Sequence, residues 1–194
     1  KSLEYIKKAA KLGNSEANYI MGKVYHKGNM VKKDLQKAIK YYKKSIKWDN
    51  ENALHNLGLL YYSQKRYTKS FKLLKRSSKL GNSISTKCIG IMYKEGLGTQ
   101  KNLKKAFECF KKAVEMGCND MLGCLGYMYE HGFGTDKDTF KAVEFYKKSI
   151  ESGSTNYVNN LGMIYIHMEN YKLAKEMFEK IIQSNPDACN NLGA

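Results

Sequence analysis

Leu125-Gly126-Tyr127-Met128-Tyr129-Glu130-His131-Gly132-Phe133-Gly134-Thr135-Asp136-Lys137-Asp138 is the stretch whose pattern decides the fold. Its opening, an apolar residue, then Gly, then Tyr three residues later, recurs as Met21-Gly22 to Tyr25, Leu57-Gly58 to Tyr61, Ile89-Gly90 to Tyr93 and Leu161-Gly162 to Tyr165. A sixth copy starts at Leu192-Gly193. The glycines are spaced by 36, 32, 36, 36 and 31 residues. A period of this size means one supersecondary unit repeated along the chain.

A second anchor, always small, follows at Ala38, Ser70, Ala106, Ala142 and Ala174. From glycine to anchor the distances are 16, 12, 16, 16 and 12 residues, and from anchor to the next glycine 20, 20, 20, 20 and 19. The length variation therefore falls between the anchors, where two helices joined by a variable loop would accept it. Asp34, Asn102, Asp138 and Asn170, with Arg66 as the exception, stand where a side chain can cap the second helix. Asp49, Gly81, Gly117, Gly153 and Asn185 stand where a left-handed residue would close it, about three turns later.

Between these caps the apolar residues keep helical spacing, as in Ala106, Phe107, Phe110, Ala113 and Val114 or Ala142, Val143, Tyr146, Ser149 and Ile150. The opposite side carries Lys43-Lys44, Lys111-Lys112 and Lys147-Lys148, so one face packs and the other is wet. The small anchors let the paired helices approach closely. The pattern predicts one solenoid over 1–194: a partial unit at 1–13, units of about 14–49, 50–81, 82–117, 118–153 and 154–185, and a partial unit at 186–194. No pair buries its stripe alone, so stability comes from stacking neighbours. Lys1 falls inside an apparent helix, and the expectation is an excerpt of a longer chain.

Composition narrows the function classes. One proline among 194 residues and an abundance of Ala, Leu, Lys, Glu and Met favour helix. No apolar run is long enough to span a bilayer. The formal charge of +16 invites an anionic partner. Yet Arg66 and Arg76 are the only arginines, whereas nucleic-acid recognition leans on the guanidinium fork. Lys, Asn, Ile and Tyr are abundant together, as an AT-rich codon supply would make them. Cys88, Cys109, Cys118, Cys124 and Cys189 are odd in number and form no C-x-x-C, which favours a reducing, cytoplasmic compartment.

With these residues in hand, the chain resembles the Sel1-like repeat family of the tetratricopeptide-like superfamily. The opening stretch, followed by Lys141-Ala142 and Phe145 to Ser149, carries the resemblance, as does Ile89 to Gly98 followed by Lys105-Ala106 and Phe110 to Ala113. The loop glycines Gly96 with Gly98 and Gly132 with Gly134 match the longer turn of that family; the first unit has Gly28 but Met30 in the second place. The units at Gly58 and Gly162 lack four loop residues and look like ordinary tetratricopeptide repeats. The resemblance implies an all-α, right-handed superhelix of antiparallel helix pairs, with first helices lining a concave groove, and an adaptor role. A fold does not fix a function.

By that family geometry, the groove positions lie two and three residues before each glycine and one, four and five after it. They hold Asn56, Asn160 and Asn191, with His55, Asn159 and Asn190 beside them, then Leu59, Tyr62, Ile91, Tyr127, Met163 and Ile166. Two readings fit the asparagines: a ladder for an extended peptide's backbone, or compositional scatter. Two also fit the apolar set: a partner-facing stripe, or burial against the adjoining helix. Lys87 sits where a carboxylate-clamping repeat has a lysine, but Ile91 and Cys124 replace the asparagines, so no complete clamp is present. The tyrosines following each glycine are core residues in this reading.

Cys88 and Cys124 are repeat-equivalent, as are His131 and His167, but their spacing is too loose for a metal site. Cysteine-rich relatives bridge a second helix to the next first helix; Cys189 matches one partner, Ile181 replaces the other, and the bridge is absent. No H-E-x-x-H, P-loop or nucleophile elbow occurs. The expectation is a non-enzymatic scaffold with no cofactor and no metal, binding a protein or peptide rather than nucleic acid or membrane, as a monomer. The alternative is lysine-mediated binding to an anionic surface, nucleic acid or phospholipid.

Overall fold

Capping explains where the helices begin. In the structure, a computed structural model that describes residues 2–184, Asn14, Asn50 and Asn82 each stand eight residues before a motif glycine. Their side chains accept the N–H of Ala17, Ala53 and Ser85, each at 2.8 Å. These asparagines open the 13-residue helices α2 (Ser15–Lys27), α4 (Glu51–Ser63) and α6 (Ser83–Glu95). Cys118 and Ser154 take the equivalent places later on, and there α8 (Leu122–His131) and α10 (Val158–His167) start late and run only 10 residues. Without a side-chain acceptor for the free N–H groups the first turn tightens, and Asn119–Met121 is a 3-10 turn.

The second helices are α3 (Leu35–Ser45), α5 (Tyr67–Lys79), α7 (Leu103–Glu115), α9 (Thr139–Glu151) and α11 (Tyr171–Ser184), preceded by α1 (Ser2–Lys11). Asp34, Asn102, Asp138 and Asn170 cap four of them at 2.9–3.2 Å, and Arg66 makes no side-chain cap. Asp49, Gly81, Gly117 and Gly153 take the expected left-handed closing conformation. Asn185, Pro186, Cys189, Asn190, Asn191 and the motif at Leu192-Gly193 lie outside the described residues, as does the side chain of Ile181.

The chain divides into two compact units, Lys1–Lys101 and Asn102–Ala194. In the first, consecutive helices from α1 to α6 pack against one another, and in the second those from α7 to α11 do so. Among the described residues there is no strand, and no helix is long and apolar enough to cross a membrane.

Four of the motif glycines, Gly22, Gly58, Gly126 and Gly162, are contact points. A Cβ on Gly22 or Gly126 would fall under 3.0 Å from the ring of Tyr42 or Tyr146, twenty residues on. On Gly58 or Gly162 it would meet Leu74 or Phe178, sixteen residues on. The four-residue difference is the extra loop of the longer units. Ala38, Ser70, Ala106 and Ala142 are 0% exposed and Ala174 3%, so every small anchor lies at a helix contact. Tyr61 and Tyr165 are buried, Tyr25 stacks on Tyr41, and Tyr129 stacks on Phe145. Lys43, Lys44, Lys111, Lys112, Lys147 and Lys148 are exposed.

The longer loops close their first helix on Gly28, Gly96 or Gly132 in the left-handed region. Two residues later Met30 has φ 67°, beside 69° at Gly98 and 76° at Gly134. Met30 therefore holds the same turn as the glycines, at the steric cost that a side chain incurs there.

Candidate functional site

The offsets from each glycine sort first-helix residues into two faces. The glycine, the residues one and four before it and those two and three after it are mostly buried, whereas the residues two and three before it and one, four and five after it are, Gly123 apart, half-buried or exposed. On α4 this leaves Leu59 37% exposed, with His55, Asn56 and Tyr62 half-buried. Tyr62 lies edge-on to Tyr67 at 5.3 Å. On α6, Lys87 and Ile91 are half-buried.

His55 is tied into the fold. Its Nδ1 lies 2.8 Å from the Ser85 hydroxyl, which donates to Ser77 Oγ at 2.9 Å, and Ser77 in turn donates to the carbonyl of Glu51. Burial first, then the charge of Lys87, holds the imidazole below its ordinary pKa. His55 thus links α4 to α6 and is neutral at physiological pH.

Asn56 reaches the other way, its amide donating to Tyr19 Oη at 3.4 Å. Together they border a cavity of about 500 Å³ whose remaining walls are Lys23, His26, Lys27, Lys33 and Tyr42. Tyr19, Lys23, His26 and Lys27 occupy, around Gly22, the same offsets that nominated the other residues. The signal was therefore present in the sequence, at offsets of the first unit that the groove positions named above did not include. Burial, then Lys33 and Lys27, lowers the pKa of His26, and burial pushes the Tyr42 hydroxyl far above its ordinary value.

The second unit presents different chemistry at the same offsets. Tyr127, 41% exposed, lies 4.2 Å from the ring of His131 and 5.9 Å from that of Phe133. Glu130 is the acceptor of a 2.5 Å hydrogen bond from Tyr146. On α10, Asn159 is exposed, Asn160 is half-buried, and Met163 and Ile166 are 42% and 36% exposed. Ile166 also borders a shallow, apolar hollow with Tyr171 and Phe178. Among the described residues the side chains of Asn159 and Asn160 make no hydrogen bond. No group of three or more His, Cys, Asp or Glu among them is gathered as a metal site would require.

The Sel1 repeat model matches residues 1–14, 15–47, 89–118 and 121–154, more than half of the sequence. The chain belongs to the Sel1 repeat family. Tetratricopeptide repeat models match 52–80 and 155–188, the two units with the short turn. No curated protein sequence matches it. Among solved structures, the fold is similar to that of c5321, a protective antigen of uropathogenic Escherichia coli with an SLR fold (26% identity, TM-score 0.87, covering 94% of this chain and 41% of that one). It is similar to a Sel1 repeat protein of Oxalobacter formigenes (26% identity, TM-score 0.78, covering 89% and 72%). It shares its fold with YrrB, a tetratricopeptide repeat protein with an unusual peptide-binding site (20% identity, TM-score 0.66, covering 95% and 94%). This Sel1 repeat chain spans 41% of the length of c5321. It is all-α, with the helical-repeat fold of these neighbours. Repeats of the family generally mediate protein–protein interactions, on scaffolds that are typically non-enzymatic.

Proposed function

We propose that this Sel1 repeat chain is a non-enzymatic adaptor whose first helices receive a peptide or loop of another protein. One observation carries the reading: large apolar side chains are exposed at recurring first-helix offsets, Leu59 and Met163 and Tyr127 one residue after the glycine and Ile166 four after it. Apolar surface repeated at one register is left open where a partner covers it. His55, Asn56, Tyr62, Lys87 and Ile91 belong to the stretch in the first unit, and Asn159 and Asn160 to that in the second. Asn159 and Asn160 offer both donors and acceptors to a peptide backbone.

The competing reading is an anionic surface held by the paired outer lysines, which are exposed. Against it, both arginines are engaged within the chain, Arg66 over the ring of Tyr61 and Arg76 on Asp49. The test is partner recovery from a native extract by the wild-type chain and by a variant carrying Asn56→Ala, Tyr127→Ala and Asn160→Ala. The adaptor reading expects specific partners to be lost from the variant. Equal recovery of every partner would overturn it, and a steep loss of binding to DNA or anionic vesicles with added salt would favour the lysine surface.

A further inference from the structure

We propose that the cavity bordered by α2, α3, α4 and the loop after α2 takes acidic side chains of a partner's peptide segment. The proposal rests on the adaptor reading and names the chemistry of what one part of that surface accepts. Three ammonium groups, Lys23, Lys27 and Lys33, and the imidazole of His26 line a space of about 500 Å³, and no carboxylate does. The acids nearby in sequence are occupied elsewhere: Asp34 pairs with Lys37 at 3.2 Å, and Glu16 accepts from Asn50 at 3.1 Å. No ion pair engages Lys23, Lys27 or Lys33 among the described residues. The site therefore concentrates positive charge with no internal counterion, and an incoming carboxylate supplies one without displacing another.

The surroundings favour a peptide over a nucleic-acid backbone. A half-buried pocket admits a side chain, whereas a phosphate backbone tracks an open basic surface. Lysines hold carboxylates as point charges, and no guanidinium lines the space to form a fork. Tyr19 Oη and the Asn56 amide, at the rim, offer hydrogen bonds to the peptide's own backbone. Burial lowers the pKa of His26, and Lys33 and Lys27 add to that shift from within the same space.

The test uses an acetylated, amidated ten-residue Gly/Ser peptide carrying four aspartates, its isosteric asparagine analogue, and a ten-nucleotide oligothymidine. Binding to the full chain is read by fluorescence anisotropy. The aspartate peptide is expected to bind at least ten-fold tighter than the asparagine one. Lys23→Gln, Lys27→Gln and Lys33→Gln together should erase that difference, while Lys43→Gln, Lys44→Gln and Lys147→Gln, on the outer faces, leave it intact. Circular dichroism checks that both variants fold, and the outer triple supplies the control for lost net charge. Equal binding of the two peptides, no binding of either, or an equal loss in both variants would overturn the proposal. So would oligothymidine displacing the peptide at lower concentration through the same three lysines. If both peptides bind equally and Asn56→Ala weakens both, acidic selectivity fails while the adaptor reading stands.

Discussion

The helix pairs α2/α3 and α8/α9 are built alike and furnished differently. In both, a motif glycine leaves room for a tyrosine ring from the second helix, and Tyr42 and Tyr146 are each 0% exposed. In both, an aspartate caps that second helix and pairs with a lysine three residues on. Four residues after the glycine, however, stand His26 in one and Glu130 in the other; one residue after it stand Lys23 and Tyr127. The first pair thus offers a basic hollow and the second an aromatic and acidic cluster. Residues facing between the helices are held by packing, and those facing away differ in chemistry from one pair to the other.

The comparison breaks most readily at the shared contact. Gly22→Ala and Gly126→Ala each force a Cβ into a buried ring, which overpacking makes costly by about 2–3 kcal/mol, offset by about 1 kcal/mol of helix propensity. Urea unfolding should show similar losses at both sites, and a gain at either would contradict the equivalence. The difference between the pairs is next in size. Tyr146→Phe removes a charge-assisted bond to Glu130 and should cost about 1.5 kcal/mol, whereas Tyr42→Phe, whose hydroxyl has a 3.4 Å contact with His26, should cost about 0.5 kcal/mol. Equal costs would remove the distinction.

Caps sharpen the comparison further. Asn14→Ala should lower stability by about 1 kcal/mol, and Cys118→Asn, at the equivalent place before α8, should raise it by about 0.5 kcal/mol while adding a helical turn visible by NMR. A smaller effect lies in pH. The folded pKa of His26 is below the ordinary 6.5, so the unfolded chain binds the proton more readily. Stability is then fully present above 6.5 and declines as the pH falls through the native value. His55 acts in the same direction. Chains carrying His26→Gln and His55→Gln should show a flatter acid limb in thermal melts, and an unchanged slope would count against both assignments.

Much of the fold was legible because the repeat writes it several times. The anchors, four of the second-helix caps and the left-handed closing residues Asp49, Gly81, Gly117 and Gly153 follow from spacing alone. The first-helix caps did not, because Asn14, Asn50 and Asn82 give way to Cys118 and Ser154 and the register is no longer uniform. Met30 left its loop open in sequence, and the backbone turns there as it does at glycine. The offsets sort residues by face, but not by engagement: the bond of His55 to Ser85 joins residues 30 apart, which no local pattern specifies. The basic hollow escaped for a related reason, since its lysines differ from solvated ones only in what faces them.

The adaptor account is tested most directly by mapping a recovered partner peptide on isotope-labelled chain by amide chemical-shift perturbation. The account predicts the largest shifts at first-helix positions, around Asn56 and Leu59 or around Tyr127, Asn160 and Met163. Shifts concentrated instead around Lys43-Lys44, Lys111-Lys112 and Lys147-Lys148, with the first helices unmoved, would contradict it.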